Sequence, residues 1–444
     1  MPPMTELPVP RPSACPGLLR IVQALDGGIC RVKLPAGVLA ASQARTIAEA
    51  AQRFASGVLE LTNRSNLQIR GVRADAEQAL IRALLDANLG PSVADADDVR
   101  NLMLSPAAGL DRQQHMDARP LAESLLRLLQ DNRALHALSA KFAIQLDGGE
   151  SLCMLEHAHD LWLRALPGTP QQLVFGLAGY PTDKPIGMVA ATDAVQLVEA
   201  ILLTFLECAG PEQSRIRQLL ESIPAEELLR RVQARLPITL SPVPAEWQRH
   251  TPAADAPFGI VAQRQPGLAM VAASAPLGRI DAQQLLAVAA LARVHGDGSL
   301  RLTPWQGLLI PDVQIDEADT VLAALEQAGL LTSSAAPLAN LIACTGSTGC
   351  ARGLADTKSD ALILAAYLQQ NDSHPRVHLS GCPRSCAAAH VAPFTLLAVG
   401  DGRYQLYGRQ VGMAGFGQPL APPMDIEHAG AWLAQHHATG RTHA

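Results

Sequence analysis

Lysine is scarce in this chain: of 35 cationic residues only Lys33, Lys141, Lys184 and Lys358 are lysines. Aromatic residues are also few, at 3%, so Leu, Ile, Val and Ala must fill the core. With 48% hydrophobic and 17% charged residues that core is sizeable, and long disordered tracts are not expected. There is no cationic excess, since 35 Lys and Arg stand against 41 Asp and Glu for a net charge of −6. A basic surface for nucleic acid is thereby excluded, and an anionic ligand would need a local cluster of cations. No apolar run reads as a membrane span: the longest, Val189 to Cys208, is interrupted by Asp193, Gln196 and Glu199 and reads as a packed helix. The opening MPPMTELPVPRPSACPG lacks an apolar core of signal-peptide length, so a cytoplasmic setting is expected. Cysteines number eight, few for the length, and in a reducing compartment clustered cysteines suggest metal ligation before disulfides.

The 444 residues correspond to about three domains at roughly 150 residues each. Residues 1–18 form a Pro-rich arm. In 19–84 a strand-like run, Ile29 to Leu34, leads to a helical stretch, Ala41 to Phe54, a second strand-like run, Val58 to Ile69, and a helical Asp75 to Ala87. Residues 85–208 carry helices and strand-like runs, 209–255 read as a linker of charged helix and prolines, and 256–335 repeat the first unit. Shifted by 241, residues 35–72 align without a gap on 276–313 with 13 of 38 identities, among them Pro35/Pro276, Gly37/Gly278, Leu61/Leu302 and Ile69/Ile310. The chain therefore reads as a tandem duplication. The copies differ where Arg64, Asn66 and Gln68 meet Trp305, Gly307 and Leu309, which points to a pseudo-twofold protein with one working site in the first copy.

Residues 336–444 hold Cys344 and Cys350, then Cys382 and Cys386, spaced C-x5-C and C-x3-C with 31 residues between. Four thiolates ligate zinc or an iron–sulfur cluster, and the five-residue gap fits short zinc knuckles poorly. Gly346, Gly349 and Gly381 allow close wrapping around a 4Fe–4S cube. Each pair precedes a helical run, whose N–H groups would favour an anionic cluster. Cys15, Cys30, Cys153 and Cys208 are scattered and read as core residues, with Cys15 in Cys-Pro-Gly the one to watch.

These motifs resemble the siroheme-dependent sulfite and nitrite reductase superfamily over nearly the whole chain. The resemblance implies an α+β, pseudo-twofold duplicated nitrite/sulfite reductase fold: two ferredoxin-like half-repeats plus two α/β cluster- and tetrapyrrole-binding domains. The family's Arg-x-Lys/Arg-x-Pro strand matches Arg31, Lys33 and Pro35, and its Thr-x-Arg-x-Asn-x-Gln strand matches Thr62, Arg64, Asn66 and Gln68. Arg100 and Asn101 before Pro106 and Gly109 match a third motif. A Lys-Phe-Lys strand matches Lys141 and Phe142, but Ala143 replaces its second lysine. The resemblance implies that Arg31, Lys33, Arg64, Arg100 and Lys141 clamp macrocycle carboxylates, which suits bidentate guanidinium chemistry, while Asn66 and Gln68 orient the ring. It also implies that Cys386 lies nearest the macrocycle.

A small oxyanion reduced at a metal needs charge and proton donors beside it, so Ala143 weakens a reductase reading. The opening Arg11, Cys15, Pro16, Gly17 and Leu18 resembles the precorrin-3B synthase branch. That branch implies the substrates precorrin-3A and dioxygen, hydroxylation of meso carbon 20 with γ-lactone formation in aerobic cobalamin biosynthesis, and a cleft that holds substrate in place of permanent siroheme. Dioxygen needs one-electron chemistry, from the cluster or from an additional mononuclear iron. No facial triad is evident. His157 and His159 in HAHD and His390 after Cys386 are candidate iron ligands against the ordinary reading of surface or packed histidines, and His436 and His437 read as solvated. Glycines 408, 412, 415 and 417 do not make a nucleotide loop, so the electron donor is expected to be external. A monomer is expected, because the duplication already supplies a pseudo-dimer interface. The competing readings are a siroheme reductase and a non-enzymatic iron–sulfur carrier or sensor, the latter disfavoured by the cationic strands.

Overall fold

A computed structural model describes residues 15–243, 249, 258–388, 392–400, 402–409 and 415–439. Arg11, His390, Gly412 and the side chain of His437 lie outside the described residues. The first half-repeat runs β1 (Val22–Ala24), β2 (Gly27–Val32), β3 (Val38–Ala40), α1 (Ala41–Phe54), β4 (Val58–Leu61), β5 (Leu67–Val72) and α2 (Glu77–Asp86). The expected strand Val58 to Ile69 is thus a hairpin. Ser65 at its tip has φ +55°, and the Thr62 N–H donates to the Asn66 carbonyl at 2.9 Å. Thr62, Arg64 and Asn66 belong to that turn, and of the four matched residues only Gln68 sits on a strand.

An α/β domain follows with β6 (Leu102–Met103), α3 (Arg119–Asp131), β7 (Ile144–Asp147), β8 (Leu161–Leu166), β9 (Thr169–Leu177), β10 (Gly187–Ala190), α4 (Ala194–Cys208), α5 (Ile216–Leu219) and α6 (Ala225–Gln233). Val189 lies within β10, so the packed helix read from residue 189 begins at Ala194. Lys141, Phe142 and Ala143 form a turn and lead-in to β7 where a strand was expected. Residues 209–240 do not act as a linker: Ile216, Leu219, Leu228 and Val232 are buried in the same core as α4, and Ser241 bridges to Met188. The amphipathic pattern of α5 and α6 outweighs their high charge.

The second half-repeat carries β11 (Gly259–Ala262), β12 (Leu268–Ser274), β13 (Arg279–Asp281), α7 (Ala282–His295), β14 (Ser299–Leu302), β15 (Gly307–Gln314) and α8 (Ala318–Gln327). The C-terminal domain holds β16 (Leu341–Ala343), α9 (Thr357–Gln370), β17 (Val377–Ser380), β18 (Phe394–Gly400), β19 (Arg403–Gly408), β20 (Gln418–Pro419) and α10 (Ile426–Thr439). His436 lies on α10, where its ring stacks on Trp432 at 3.8 Å between centroids.

The half-repeats exchange strands. Their sheets run β1-β2-β5-β4-β13 and β11-β12-β15-β14-β3, so β3 of the first copy closes the second copy's sheet and β13 closes the first. The turn that redirects each strand is the same in both copies: Ala36 and Gly37 have φ +54° and +71°, Leu277 and Gly278 +53° and +72°. At Gly37 a Cβ would come within 2.5 Å of the Leu302 carbonyl, so only glycine fits there. Buried alanines on α1 (Ala41, Ala44, Ala48, Ala51) and α7 (Ala282, Ala289, Ala292) share one core across the exchange. Small side chains let these helices approach closely, as the low aromatic content anticipates; adding volume there would cost about 1–3 kcal/mol.

The two α/β domains repeat one another too. In each, three neighbouring strands are parallel and two antiparallel strands complete the sheet: β6-β7-β8-β9-β10 and β16-β17-β18-β19-β20. No described helix is long and apolar enough to cross a membrane.

Candidate active site

Strands β16 and β17 are parallel neighbours, so the loops that follow them leave the same end of the sheet. Cys344 begins the first loop; Cys382 and Cys386 lie on the second. The Gly381 N–H donates to Cys344 Sγ at 3.2 Å. The loops press together: Cβ atoms at Gly346 and Gly353 would come within 2.7 Å of the Ala355 carbonyl and 2.5 Å of Gly346 C. The three other cysteines are half-buried and Cys386 is exposed, yet protein around Cys386 removes enough hydration to raise its pKa, as do nearby Cys382, Cys344 and Cys350. Among the described residues no three His, Cys, Asp or Glu stand close enough to hold one metal ion. A four-iron cube spreads its ligands wider than a single zinc, so four neighbouring thiols around a glycine-lined cradle fit the cube. One expectation fails: α9 follows the first pair, but β18 follows the second, with no helix among the described residues there. The apolar run after Cys386 is spent on a buried strand.

The cradle is fastened to both half-repeats by buried charges. Arg70 on β5 donates from Nε and Nη2 to both Asp26 oxygens at 2.8 Å, and from Nη2 to the Gly349 carbonyl at 3.3 Å. Glu60 on β4 accepts from Arg279 Nη2 at 2.7 Å and Arg70 Nη1 at 3.3 Å, and lies 3.9 Å from Lys358 Nζ. Thr345 Oγ1, beside Cys344, donates to Glu60 at 3.4 Å. These cations hold the Glu60 carboxyl below its ordinary range in spite of burial.

The matched cations gather at the edge of the first half-repeat. Arg31 on β2 faces Gln68 on β5, and the Gln68 amide oxygen accepts from its Nη2 at 2.7 Å and Nε at 3.1 Å. Burial lowers the Arg31 pKa, and the charges that counter this are Cys15, Cys386 and Asp98. Lys33 is buried and donates to the Asp98 carbonyl at 2.7 Å; burial brings its pKa down to about 7. Arg100 donates to the Gly90 carbonyl and to Asp97 at 3.2 and 3.3 Å.

A recess of about 270 Å³ is lined by Arg64, Asn66, Arg100, Ala143 and His159, among others. The recess is open to solvent and too small to enclose a whole macrocycle, so it suits one edge of the ring. Burial lowers Arg64 to about 10, helped by Arg215 and Arg31. Asn66 Oδ1 is committed to the Leu34 N–H at 2.9 Å, so it shapes the hairpin. Asn101 donates to the Ala140 and Phe142 carbonyls, both at 3.0 Å, and fixes the chain beside Ala143. Lys141 is exposed and does not line the recess, unlike Ala143 two residues later.

Two features were not foreseen. Asp97 Oδ2 accepts from the Leu18 and Leu19 N–H groups at 2.9 and 3.1 Å, pinning the Cys15–Leu18 arm beside Arg31. Arg215 pairs with Asp160 at 2.8 Å, and Asp160 also accepts from the Ala143 N–H at 2.9 Å. His159, a candidate iron ligand from its HAHD sequence, lines the recess, but no group of metal ligands forms around it among the described residues. Acidic Asp97 and Asp98 just before Arg100 were the available signal for the first; nothing local marked Arg215.

The pseudo-twofold counterpart differs in kind. The loop after β7 carries no cysteine cradle; Asp147 at the end of β7 pairs with Arg164 and Arg249 at 3.2 and 3.1 Å. A second cavity of about 770 Å³ between the second half-repeat and the C-terminal domain is lined by Trp305, Gln306, Asn340 and Arg376, among others. Trp305 stands where the first copy has Arg64, which leaves this cavity poorer in cations.

Comparison with known proteins agrees with the duplication. The nitrite/sulfite reductase ferredoxin-like half domain matches residues 22–87 and again 261–328. The nitrite and sulphite reductase 4Fe-4S domain matches residues 95–240, the domain whose strand order the cysteine-bearing sheet repeats. Chloroplastic ferredoxin–nitrite reductase of Zea mays is 30% identical over 392 residues, covering 82% of this chain and 68% of that protein. The Spinacia oleracea enzyme is 29% identical over 82% of this chain and 65% of its own, so the chain spans about two thirds of these plant relatives. A precorrin-3B synthase of Sinorhizobium is 27% identical, over 93% of this chain and 85% of that protein. The solved NirA protein of Mycobacterium tuberculosis shares the fold, with a TM-score of 0.74 at 22% identity over 92% of this chain and 79% of its own. The chain belongs to the nitrite and sulfite reductase family, with two ferredoxin-like half domains and a 4Fe-4S-type α/β domain whose strand order the C-terminal domain repeats.

Proposed function

We propose that this protein is a precorrin-3B synthase. The observation that carries this reading is Ala143: it lines the recess beside Arg64 and Arg100, where an oxyanion reductase would need another cation. Similarity along 93% of this chain and 85% of a precorrin-3B synthase supports it, against 82% and 68% for the maize reductase. Arg31, Arg64, Arg100 and Lys33 would hold the carboxylates of precorrin-3A, and Lys141 contributes only at the rim. Cys344, Cys350, Cys382 and Cys386 would hold a 4Fe–4S cluster. That cluster, when bound, supplies single electrons. Insertion of one oxygen atom with the other leaving as water takes two electrons and two protons, from an external donor.

The test is turnover of precorrin-3A under oxygen-18-labelled dioxygen with a chemical reductant. The reading requires a product one oxygen heavier that carries the label. Absence of oxygenated product from cluster-loaded protein would overturn it. Full iron and sulfide content in Cys382→Ser would remove the ligand assignment.

A second reading, a siroheme-dependent nitrite or sulfite reductase, is favoured by the 30% identity to the maize enzyme, slightly above that to the synthase. It requires stoichiometric siroheme.

A further inference from the structure

The recess contains a proton acceptor as well as cations. His159 is 2% exposed and lines the recess with Arg64. Its Nδ1 lies 2.7 Å from the His157 carbonyl oxygen. A carbonyl only accepts, so Nδ1 carries the proton. In the neutral ring Nε2 is then a bare lone pair, and it is buried without a hydrogen-bond partner among the described residues. Burial, with Arg64 and Arg215 nearby, keeps the ring neutral. A buried acceptor left unmatched is costly, so this nitrogen calls for a donor from outside the protein.

We propose that His159 Nε2 accepts a hydrogen bond from the O–H of a protonated carboxyl at the edge of the bound macrocycle, while Arg64 beside it donates to a neighbouring carboxylate. This rests on the reading of the recess as a tetrapyrrole-edge site. The pair would select a ligand that presents an anionic oxygen and a hydrogen-bond donor side by side. His159 is thereby a binding and positioning residue, fixed in one tautomer by the His157 carbonyl.

The test uses sirohydrochlorin, a metal-free polycarboxylate macrocycle, titrated into the cluster-loaded protein. Spectroscopic binding curves are compared for the unaltered protein, His159→Phe and His159→Gln. In parallel, the unprotonated ring nitrogen is followed by NMR in protein labelled with nitrogen-15 histidine. The expected result is an upfield shift of that resonance on binding, about tenfold weaker binding in His159→Phe, and recovery to within about threefold in His159→Gln, which keeps an acceptor. Sirohydrochlorin binding with an unmoved resonance overturns the inference alone. Failure of the unaltered protein to bind sirohydrochlorin overturns the cleft reading and the inference with it.

Discussion

Arg31 and Gln68 face each other across β2 and β5, and the single amide oxygen of Gln68 accepts from both Nη2 and Nε of the guanidinium, at 2.7 and 3.1 Å. The planar head is thereby aimed before any ligand arrives. Arg31→Ala should weaken sirohydrochlorin binding ten- to a hundredfold, the usual effect of losing a charged hydrogen bond of about 1.5–3 kcal/mol. Gln68→Ala should weaken it only a few-fold, since the charge remains and only its aim is lost. Titration by absorbance separates the two.

Arg64 and Lys141 were both expected to clamp the ligand, yet only Arg64 lines the recess. Arg64→Ala should cost at least tenfold in sirohydrochlorin affinity. Lys141→Ala, at an exposed position, should change it less than threefold. Equal losses in both variants would place the carboxylates at the rim.

Glu60 holds together β4, β13 and the loop of the first cysteine pair. Glu60→Ala leaves Arg70, Arg279 and Lys358 without their shared counter-charge, and breaking such a buried group costs about 3–5 kcal/mol. The urea midpoint of the cluster-loaded protein should fall accordingly. An unchanged midpoint would show that these cations find other partners.

Lys33 gives a pH signature. Burial lowers its pKa from 10.5 to about 7, so above pH 7 the folded protein sheds a proton that the unfolded chain keeps. Stability therefore rises with pH beyond 7, by at most about 1.36 kcal/mol per unit from this group. Urea unfolding at pH 7 and 8.5 should show a smaller rise in Lys33→Met than in the unaltered protein. Identical slopes would mean that Lys33 is not desolvated.

The half-repeats were legible because an ungapped shift of 241 preserves turn glycines and buried strand positions together. The exchange of β3 and β13 was not, because a strand's own pattern is the same whichever sheet it completes. The hairpin at Thr62–Asn66 was hidden by the apolar residues on both sides of it. The cysteine pairs were legible by spacing alone. Their fastening to Glu60 and Arg70 was not, since those residues lie some three hundred positions away in sequence, as with the 285-residue separation of Thr345 from Glu60. His159 could be noticed in HAHD, but its role depends on a backbone carbonyl and a burial that no local pattern encodes.

The central claim is that the cleft receives a tetrapyrrole as substrate and does not keep one as a prosthetic group. Anaerobically purified protein should be examined by its absorption spectrum and by acid extraction of any macrocycle. The account predicts broad iron–sulfur absorption with no stoichiometric siroheme in the extract. One siroheme per chain would contradict it and make the protein an oxyanion reductase that works with Ala143 in place of a lysine.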